Sequence, residues 1–302
     1  MKVFVTGGAG FIGRHTCKSL LEAGHNVSVY DNLSTSDGSG IPDGVRFIEG
    51  DIRDLGATKL AMSGHDAVIH LAAQAIVSES VANPQKSYEI NLAGGYNVLV
   101  AIHDLGIKTL IYSSTAAAYG DQTKMPVRED AQKLPVNPYG ATKLALESLT
   151  HAYHSSYGLN VTVFRYFNPF GPGENHDPET HAIPNFMKAI RDDKPIPLFW
   201  NGEQIRDFFP VKDLAKAHVK ALDKTGFNQY NLGSGSGIKV SELVDLLFEI
   251  AGKKVPQDDL GERAGDPPEL RANITKAKKE LDWKPTDLRT ALEEAWQDFI
   301  AD

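Results

Sequence analysis

The stretch TGGAGFIG (6–13) decides the fold of this chain. It follows a short β-rich run, KVFVT (2–6), and it opens a segment with helical spacing, FIGRHTCKSLLEAG (11–24). A glycine loop alone is a weak signal, but a loop that joins a strand to a helix at the start of a βαβ unit is typical of dinucleotide-binding folds. The stretch therefore predicts a nucleotide site at the beginning of the chain.

The glycines of this loop and the acid after the next strand predict which nucleotide binds. Gly7, Gly10 and Gly13 let the backbone approach a pyrophosphate, and the helix N-terminus offers N–H groups and a positive dipole end. Asp31 ends the next β-rich run, 18 residues after Gly13, where it can accept both ribose hydroxyls. Its carboxylate would repel a 2′-phosphate, and the neighbouring Asn32 supplies no cation. The context therefore predicts NAD rather than NADP.

Strand and helix signals alternate through the first half of the chain. The further β-rich runs are NVSVYD (26–31), VRFIEGD (45–51), DAVIHLAA (66–73), IKTLIYSS (107–114) and NVTVFRYFN (160–168). Helical segments at 84–105 and 137–158 stand among them, and Asp51 and Ile52 follow the third strand, where an adenine ring should rest. Alternation with short connections predicts an α/β fold with a Rossmann-type doubly wound parallel sheet.

The sequence changes character after Asn168. Residues 169–184 are rich in Pro and Gly and predict a long loop, and the rest of the chain mixes short helices and strands. We expect an NAD-binding domain at 1–168 and a smaller α/β substrate lobe at 169–302. The chain is expected to return to the first domain around 211–235.

Composition excludes several classes of protein. The formal net charge of −8 argues against a nucleic-acid or anionic-membrane surface. No apolar run approaches the roughly 20 residues of a membrane span, and the N-terminus does not resemble a signal peptide. The single cysteine, Cys17, is expected to be a small core residue and fits a reducing, cytoplasmic setting.

A second pattern, YGATK (139–143), puts Tyr139 and Lys143 four residues apart on one face of a helix. This helix follows the strand that ends in SSTAAAYG (113–120). A free tyrosine has a pKa of about 10, so its use as a base near pH 7 needs a shift worth about 4 kcal/mol. A nearby ammonium group and an oxidised nicotinamide could supply it together. The pair therefore makes chemical sense beside NAD⁺.

Taken together, these motifs resemble the extended short-chain dehydrogenases/reductases and, within them, the UDP-glucose 4-epimerase family. The resemblance rests on TGGAGFIG, Asp31-Asn32, GDIRD (50–54), HLAAQ (70–74), SSTAAAYG, YGATK, FRYFNPFGPGE (164–174), NGEQIRDFFPVKDLA (201–215) and ERAGDPPELRANITKAKKELDWKP (262–285). It covers nearly the whole chain, with the motifs in the expected order. Because several nucleotide-sugar enzymes share individual motifs, it supports the fold and the cofactor better than the reaction.

The resemblance implies roles for particular residues. Tyr139 would be the catalytic base, Lys143 its helper and a contact of the nicotinamide ribose, and Thr115 the partner that hydrogen-bonds the sugar 4-hydroxyl. The positions that match NAD contacts are Gly7, Gly10, Phe11, Ile12, Gly13, Asp31, Asn32, Asp51, Ile52, Leu71, Ala72, Ala73, Asn91, Ser113, Tyr139, Lys143, Tyr166 and Phe167. The positions that match substrate contacts are Thr115, Asn168, Phe199, Arg206, Arg263 and Asp266.

The chain departs from the family at several of these places. Trp200 stands where many relatives have Gly, next to the expected uracil contact, and Ala75 replaces a Lys of some relatives. Leu270 aligns with a position that gates the sugar, so UDP-N-acetylglucosamine stays open as a substrate. The family's dehydratases carry Asp-Glu directly after the Thr, to remove the C5 proton and expel the C6 hydroxyl. Ala116 and Ala117 stand there in this chain.

The implied reaction is the 4-epimerisation of a UDP-hexose through a 4-keto sugar, with UDP-glucose and UDP-galactose as the expected pair. An epimerase of UDP-glucuronate stays open, whereas the alanines disfavour a dehydratase, and a decarboxylase would need a Glu nearby. An NAD-sensing regulator on the same fold would be expected to lose the Tyr139/Lys143 pair.

Two further expectations concern metals and partners. No metal site is expected, because neither His151 and His154 nor His176 and His181 complete a ligand set. The apolar faces of helices 84–105 and 138–157 are core in the simplest interpretation, but in this fold class they often form a dimer bundle. We therefore expect a homodimer.

Overall fold

A computed structural model describes residues 1–174, 181–262 and 267–301. Its strands are β1 (Lys2–Thr6), β2 (Asn26–Asp31), β3 (Arg46–Glu49), β4 (Ala67–His70), β5 (Thr109–Thr115), β6 (Asn160–Tyr166), β7 (Asn168–Phe170), β8 (Ile196–Leu198), β9 (Ile205–Arg206), β10 (Phe208–Pro210), β11 (Phe227–Leu232), β12 (Ile238–Lys239), β13 (Gln257–Asp259) and β14 (Glu269–Leu270). Its α-helices are α1 (Phe11–Glu22), α2 (Leu55–Met62), α3 (Val77–Ala82), α4 (Pro84–Ser87), α5 (Gly95–Asp104), α6 (Pro138–Tyr157), α7 (Ala182–Arg191), α8 (Val211–Ala221), α9 (Val240–Ala251), α10 (Thr275–Leu281) and α11 (Leu288–Ala301).

Seven parallel strands form the main sheet in the order β11-β6-β5-β4-β1-β2-β3. The order reverses beside β1, which pairs with β4 on one side and with β2 on the other. In doubly wound sheets, ligands bind outside the carboxyl ends of the strands at such a reversal. The predicted Rossmann-type fold is confirmed, and the loop after β1 lies at the switch point.

Alternate residues of the strands enter two different apolar layers. In β1, Val3 and Val5 pack in the cluster that includes Cys17 and Leu214, on the side of α1 and α8. Phe4 packs in the opposite cluster, on the side of α2, α5 and α6. Both faces of the sheet are therefore covered, which explains the nearly continuous apolar runs in the central strands.

The helix predicted for 84–105 is interrupted by a different helical geometry. A π-helical segment, Tyr88–Gly94, joins α4 to α5. It carries Asn91, which is buried and exchanges two hydrogen bonds with the backbone of Gln74, at 2.7 and 3.0 Å. The segment therefore fixes the chain that follows β4, and π-helical turns are frequent at functional sites.

A third apolar cluster lies under α7, α9 and α11 and includes Phe170, Leu247 and Trp296. Short strand pairs border it, β7 with β10 and β8 with β13, together with the three-stranded sheet β12-β9-β14. In the chain, β11 lies between β10 and β12, but it joins the main sheet beside β6. The domain boundary at 168 stays a prediction. In the part of the chain that the structure describes, no helix is long and apolar enough to cross a membrane.

Candidate active site

Of the three predicted glycines Gly7, Gly10 and Gly13, close packing requires two and the third leaves space. Gly7 has φ +70°, and a Cβ there would lie 2.5 Å from the amide nitrogen of Ala72. A Cβ on Gly13 would lie 2.3 Å from the carbonyl oxygen of Gly7. A Cβ on Gly10 would meet only that same oxygen, at 3.5 Å. Gly7 and Gly13 therefore allow close packing, and Gly10 presents bare backbone at an open position.

Gly10 is also the N-cap of α1. A glycine has no side chain that could accept the hydrogen bonds of the first-turn N–H groups. A helix N-terminus of this kind is suited to bind a phosphate. Phe11, Ile12 and Gly13 form this first turn, so the cradle fits the pyrophosphate of a dinucleotide.

The carboxylate of Asp31 is held at the edge of this cradle. Its Oδ2 accepts a hydrogen bond from the backbone N–H of Ala9 at 3.0 Å, and its Oδ1 accepts from that of Leu33 at 2.9 Å. Each carboxylate oxygen can accept a further hydrogen bond. Asp31 therefore fits the two hydroxyls of a ribose.

Asp51 lies next to this position and is already well partnered. Asn32 Nδ2 donates to it at 2.9 Å, and Arg53 donates through Nε and Nη2 at 3.0 and 2.8 Å. These bonds, chiefly those from Arg53, lower the pKa of Asp51 to about 2. Ile52 is buried, and its carbonyl oxygen accepts from Asn97. None of these contacts tests the predicted place of Asp51 and Ile52 beside an adenine ring, which stays a prediction.

The segment after β4 lies directly against the glycine loop. The backbone N–H groups of Leu71 and Ala72 donate to the carbonyl oxygen of Thr6 at 3.0 and 3.1 Å. Ala73 follows, and the next residue, Gln74, is bonded to the buried Asn91. Four predicted cofactor residues therefore lie around the end of β4: Leu71, Ala72, Ala73 and Asn91.

Three residues predicted to be catalytic meet at the carboxyl end of β5. Thr115 ends the strand, and its Oγ1 accepts from the backbone N–H of Ala117 at 3.1 Å. Tyr139 lies in the first turn of α6, which is capped by Asn137 and opened by Pro138. The Tyr139 side chain lies beside Thr115, whose hydroxyl lowers the pKa of the phenol. Lys143, one turn later, is buried and donates from Nζ to Ser113 Oγ at 3.2 Å.

Burial moves both titratable groups of the site away from their charged forms. It raises the pKa of Tyr139, against a smaller effect of the Thr115 hydrogen bond. It lowers the pKa of Lys143 to about 7, against the opposing effect of the Glu147 carboxylate. A phenolate with an ammonium group beside it therefore needs additional positive charge, such as an oxidised nicotinamide.

Behind this site lies a buried ion pair that the sequence analysis missed. Arg165 donates to both carboxylate oxygens of Glu147, at 3.0 and 2.6 Å. Ser114 donates to the same carboxylate, so neighbouring hydroxyls of β5 bind Lys143 and Glu147 of α6. The signal was present, because Tyr139, Lys143 and Glu147 follow at intervals of four on one face of a helix.

Tyr166 ends β6, Phe167 follows the strand, and both side chains are buried. The hydroxyl of Tyr166 lies 2.6 Å from His218 Nε2. The backbone N–H of Phe167 donates to the carbonyl oxygen of Leu232 in β11, at 3.0 Å. The hydroxyl of Tyr166 is thus engaged inside the protein.

Asn168, one of the predicted substrate residues, contacts another unpredicted acid, Asp207. The backbone N–H and Nδ2 of Asn168 donate to the backbone carbonyl oxygen of Asp207 at 3.1 and 3.2 Å. Its buried carboxylate accepts from Ser234, Gly235 and Ala272; burial raises its pKa, and these donors act in the opposite direction. Asp207 therefore ties β7 and β9 to the segment after β14.

Arg206 and Phe199 lie in the C-terminal part of the chain. Arg206 lies in β9 beside Leu270 of β14, and its Nη1 donates to the carbonyl oxygen of Ile205 at 2.8 Å. Phe199 precedes Trp200 and Asn201, which both have left-handed backbone, at φ 51° and 49°. Many relatives are expected to have Gly at the first of these positions, which this conformation favours. Arg263 and Asp266 lie outside the described residues.

The histidines considered as metal ligands have other contacts. The ring of His151 packs edge-on against Phe227, and His154 Nδ1 lies 2.9 Å from the carbonyl oxygen of Leu159. His181 pairs with Glu174 at 2.7 Å, and His176 lies outside the described residues. Among residues 1–174, 181–262 and 267–301, no group of three or more His, Cys, Asp or Glu could hold a metal ion.

Comparison with known proteins agrees with this geometry. Residues 3–233 match the model of the NAD dependent epimerase/dehydratase family. The chain is 40% identical over 315 residues to a UDP-glucose 4-epimerase of Corynebacterium glutamicum, covering 98% of this chain and 95% of that protein. A UDP-glucose 4-epimerase of Brucella ovis in complex with NAD has a TM-score of 0.93 at 38% identity, over 99% of this chain and 98% of that one. The Thermotoga maritima UDP-glucose 4-epimerase with UDP-glucose has a TM-score of 0.95 at 34% identity, over 100% and 99%.

Proposed function

Because this chain belongs to the NAD dependent epimerase/dehydratase family, we infer that it is a 4-epimerase that interconverts UDP-glucose and UDP-galactose with tightly bound NAD. The reaction passes through a 4-keto sugar and has no net redox change. One observation carries this inference: Tyr139 and Lys143 lie one turn apart on α6 at the end of β5, where Lys143 donates to Ser113 and the phenol lies beside Thr115. The group stands at the same edge of the sheet as the glycine loop, as a reaction beside a nicotinamide requires.

Bound NAD⁺ supplies the hydride acceptor, and then the hydride donor, for C4 of the sugar. The protein's part is proton transfer. Thr115 bridges the sugar 4-hydroxyl and Tyr139, whose phenolate takes the proton and later returns it. The positive charge of a Lys143 ammonium group favours the phenolate. It thereby opposes burial, which raises the pKa of Tyr139. Since the same groups serve both directions, one site can act on either face of the keto sugar.

An epimerase must hold the nucleotide while the sugar turns over. We assign this to Asn168 and Arg206, with Arg263 as a further cation on the diphosphate, Phe199 at the uracil and Asp266 at the nucleotide ribose. Arginine suits the role because its planar fork can bind a phosphate through two hydrogen bonds. Asn168 donates to the carbonyl oxygen of Asp207, and Arg206 directly precedes Asp207 in the chain, which supports a shared site.

The residues after Thr115 favour epimerisation over dehydration. Ala116 and Ala117 begin a short 3₁₀ turn there, and the Ala117 N–H is engaged by Thr115. A dehydratase needs an acid and a base near C5 and C6, and methyl groups can supply neither. The keto sugar is therefore expected to be reduced again rather than to lose water.

The test is to incubate the purified protein with UDP-galactose alone and follow UDP-glucose by chromatography. Wild type should convert it, whereas Tyr139→Phe should lose about 10²–10⁴-fold in kcat. Ser148→Ala, which removes a hydroxyl from the exposed face of the same helix, is the control and should remain active. Absence of conversion by wild type, or full activity of Tyr139→Phe, would contradict the proposal.

The identity of the sugar is a separate question, because the gate position carries Leu270. This residue is only partly buried, in β14 beside Arg206. Its side chain is smaller than the Tyr of some relatives and leaves open an N-acetyl group at C2. A panel of UDP-glucose, UDP-N-acetylglucosamine and UDP-glucuronate, analysed by chromatography and mass spectrometry, ranks these alternatives. An unchanged mass would indicate epimerisation, and loss of water or CO₂ a different reaction.

We also propose that the protein is a homodimer. Tyr88, Tyr96 and Tyr157, on the π-helical segment, α5 and α6, are 56%, 46% and 55% exposed. Such aromatic side chains are enriched at protein interfaces. In sedimentation velocity, wild type should be a dimer and Tyr96→Asp a monomer, whereas Leu60→Asp on α2 should stay dimeric. A monomeric wild type would contradict this proposal.

Two further expectations remain proposals. A division at residue 168 is supported by the separate apolar cluster under α7, α9 and α11, and limited proteolysis can test it. A cytoplasmic location is supported by the buried Cys17, because a reduced thiol suits a reducing compartment. Fractionation of the source cells can test it.

A further inference from the structure

A buried histidine, His218 of α8, links two elements of the proposed NAD site. Its Nε2 lies 2.6 Å from the hydroxyl of Tyr166, and its Nδ1 lies 3.0 Å from Thr16 Oγ1. Thr16 in turn donates to the carbonyl oxygen of Ile12 at 2.9 Å. Thr16 and His218 are fully buried, and Tyr166 is 7% exposed. The contacts form one continuous chain from the end of β6 to the first turn of α1.

The direction of this chain follows from counting protons. The single hydroxyl proton of Thr16 goes to the Ile12 carbonyl oxygen, so Thr16 Oγ1 must accept a hydrogen bond from His218. His218 therefore carries its proton on Nδ1, and the bare Nε2 accepts the proton of Tyr166. Every donor in the chain has one acceptor. This arrangement uses a neutral imidazole, in agreement with burial, which lowers the pKa of His218 to about 3.

Both ends of the chain reach residues proposed to contact NAD. Ile12 belongs to the first turn of α1, where the pyrophosphate is expected, and Tyr166 stands at the carboxyl end of β6. Neither Thr16 nor His218 is accessible to a ligand. An effect of these two residues on the cofactor must therefore pass through Ile12 and Tyr166.

We propose that His218 is a positioning residue of the cofactor site, which with Thr16 holds Tyr166 and the first turn of α1 at the spacing that retains NAD. The proposal rests on the proposed function for the identity of the cofactor. It adds that slow release of NAD depends on a hydrogen-bond chain outside the ligand contacts. Loss of one hydrogen bond of this chain is expected to leave a buried polar group unsatisfied. Tyr166 and the first turn of α1 could then move independently.

The test measures NAD directly. Wild type and variants are loaded with NAD, freed of excess by gel filtration, and sampled over time for protein-bound NAD after acid release. Thr16→Val removes the hydroxyl between His218 and Ile12 at nearly constant volume. The matched control is Thr150→Val, because Thr150 is equally buried and also donates to a carbonyl of its own helix, that of Glu147 at 2.7 Å. Thermal unfolding of each NAD-free protein reports stability separately.

Thr16→Val is expected to release NAD about tenfold faster than Thr150→Val, the equivalent of one hydrogen bond. His218→Gln, which can still accept from Tyr166, should be less affected than His218→Leu, which can neither accept nor donate. If a His218 variant does not fold, Tyr166→Phe removes the last donor and should also release NAD faster. Addition of free NAD should restore the turnover of Thr16→Val without changing its KM for UDP-galactose.

Equal release rates for Thr16→Val, Thr150→Val and wild type would overturn the inference, even if Thr16→Val were less stable. That result would leave the epimerase proposal intact. Conversely, a wild type that retains NAD but does not convert UDP-galactose would overturn the reaction and not this inference. A wild type that binds no NAD would overturn both.

Discussion

The ammonium nitrogen of Lys143 lies 3.2 Å from the hydroxyl oxygen of Ser113, in a position where the lysine is only 3% exposed. Burial lowers the pKa of Lys143 to about 7, and Glu147 on the next turn of the same helix only partly opposes this. The charged lysine is therefore costly for the NAD-free protein. We expect this cost to lower the free energy of unfolding of the NAD-free protein.

The first prediction concerns Lys143→Met. An unfolded lysine has a pKa near 10.5, so the unfolded chain binds more protons than the folded protein between pH 7 and 10. From pH 7 to pH 9 the stability of the NAD-free wild type should therefore rise by about 2 kcal/mol relative to that of Lys143→Met, as measured by urea unfolding. Lys143→Met should lack this rise, be more stable at pH 7, and be inactive. A pH dependence equal in both proteins would contradict the assignment.

The second prediction separates the glycines of the loop. Gly10→Ala should fold with a nearly unchanged unfolding midpoint, because its Cβ would approach only the Gly7 carbonyl oxygen, at 3.5 Å. It should nevertheless lose about tenfold or more in NAD affinity, since the methyl group would occupy the pyrophosphate position. Calorimetric titration with NAD and thermal unfolding measure the two effects.

Gly7→Ala is the counterpart. Its Cβ would lie 2.5 Å from the Ala72 amide nitrogen, and φ is +70°. The variant should lose about 2–4 kcal/mol of stability before any question of NAD arises. A stable Gly7→Ala, or a Gly10→Ala that binds NAD normally, would argue against these roles.

The third prediction concerns the ion pair behind the site. Arg165→Met should cost about 3–5 kcal/mol in urea unfolding, because it leaves the buried Glu147 carboxylate without its cation. The double variant Glu147→Leu/Arg165→Met should be less destabilised than Arg165→Met alone. Arg128→Met is the control, since its pair with Asp130 is exposed, and its unfolding midpoint should hardly change.

The fourth prediction concerns acid. Burial lowers the pKa of both His70 and His218 from 6.5 to about 3, so each is neutral in the folded protein. The unfolded chain takes up protons at these residues below pH 6.5, and the stability present above that pH is lost as the pH falls. Between pH 7 and pH 5 the two residues should cost about 4 kcal/mol in urea unfolding.

Asp51 does not interfere with this measurement, because the lowered pKa of its carboxyl acts below about pH 4. His70→Gln should lose about 2 kcal/mol less than wild type over this range, since one buried imidazole is gone. His15 and His25, whose pKa values are also lowered by burial, contribute equally in both proteins. Equal stability of wild type at pH 5 and pH 7 would show that the two rings are protonated in the folded protein.

The fold and the cofactor class could be predicted from local patterns. Gly7, Gly10 and Gly13 act within one turn, and Asp31 is placed by the length of a single βαβ unit. Tyr139 and Lys143 share a face because a helix repeats every 3.6 residues. The π-helical geometry around Asn91 was missed, since no local spacing distinguishes it from an α-helix and it is held by contacts to Gln74.

The supporting residues of the site could not be predicted in this way. Thr16 and His218 are 202 positions apart, and Asp207 and Ala272 are 65 apart. Each of these bonds exists because packing of α8 on α1, or of β14 beside β9, brings both partners together and removes them from water. The sequence by itself determined the strand–loop–helix that holds a dinucleotide and the Tyr139/Lys143 pair, because their geometry depends on short-range backbone periodicity. The tertiary structure alone decided which buried histidine, carboxylates and arginine support them, because that choice depends on which distant elements exclude water together.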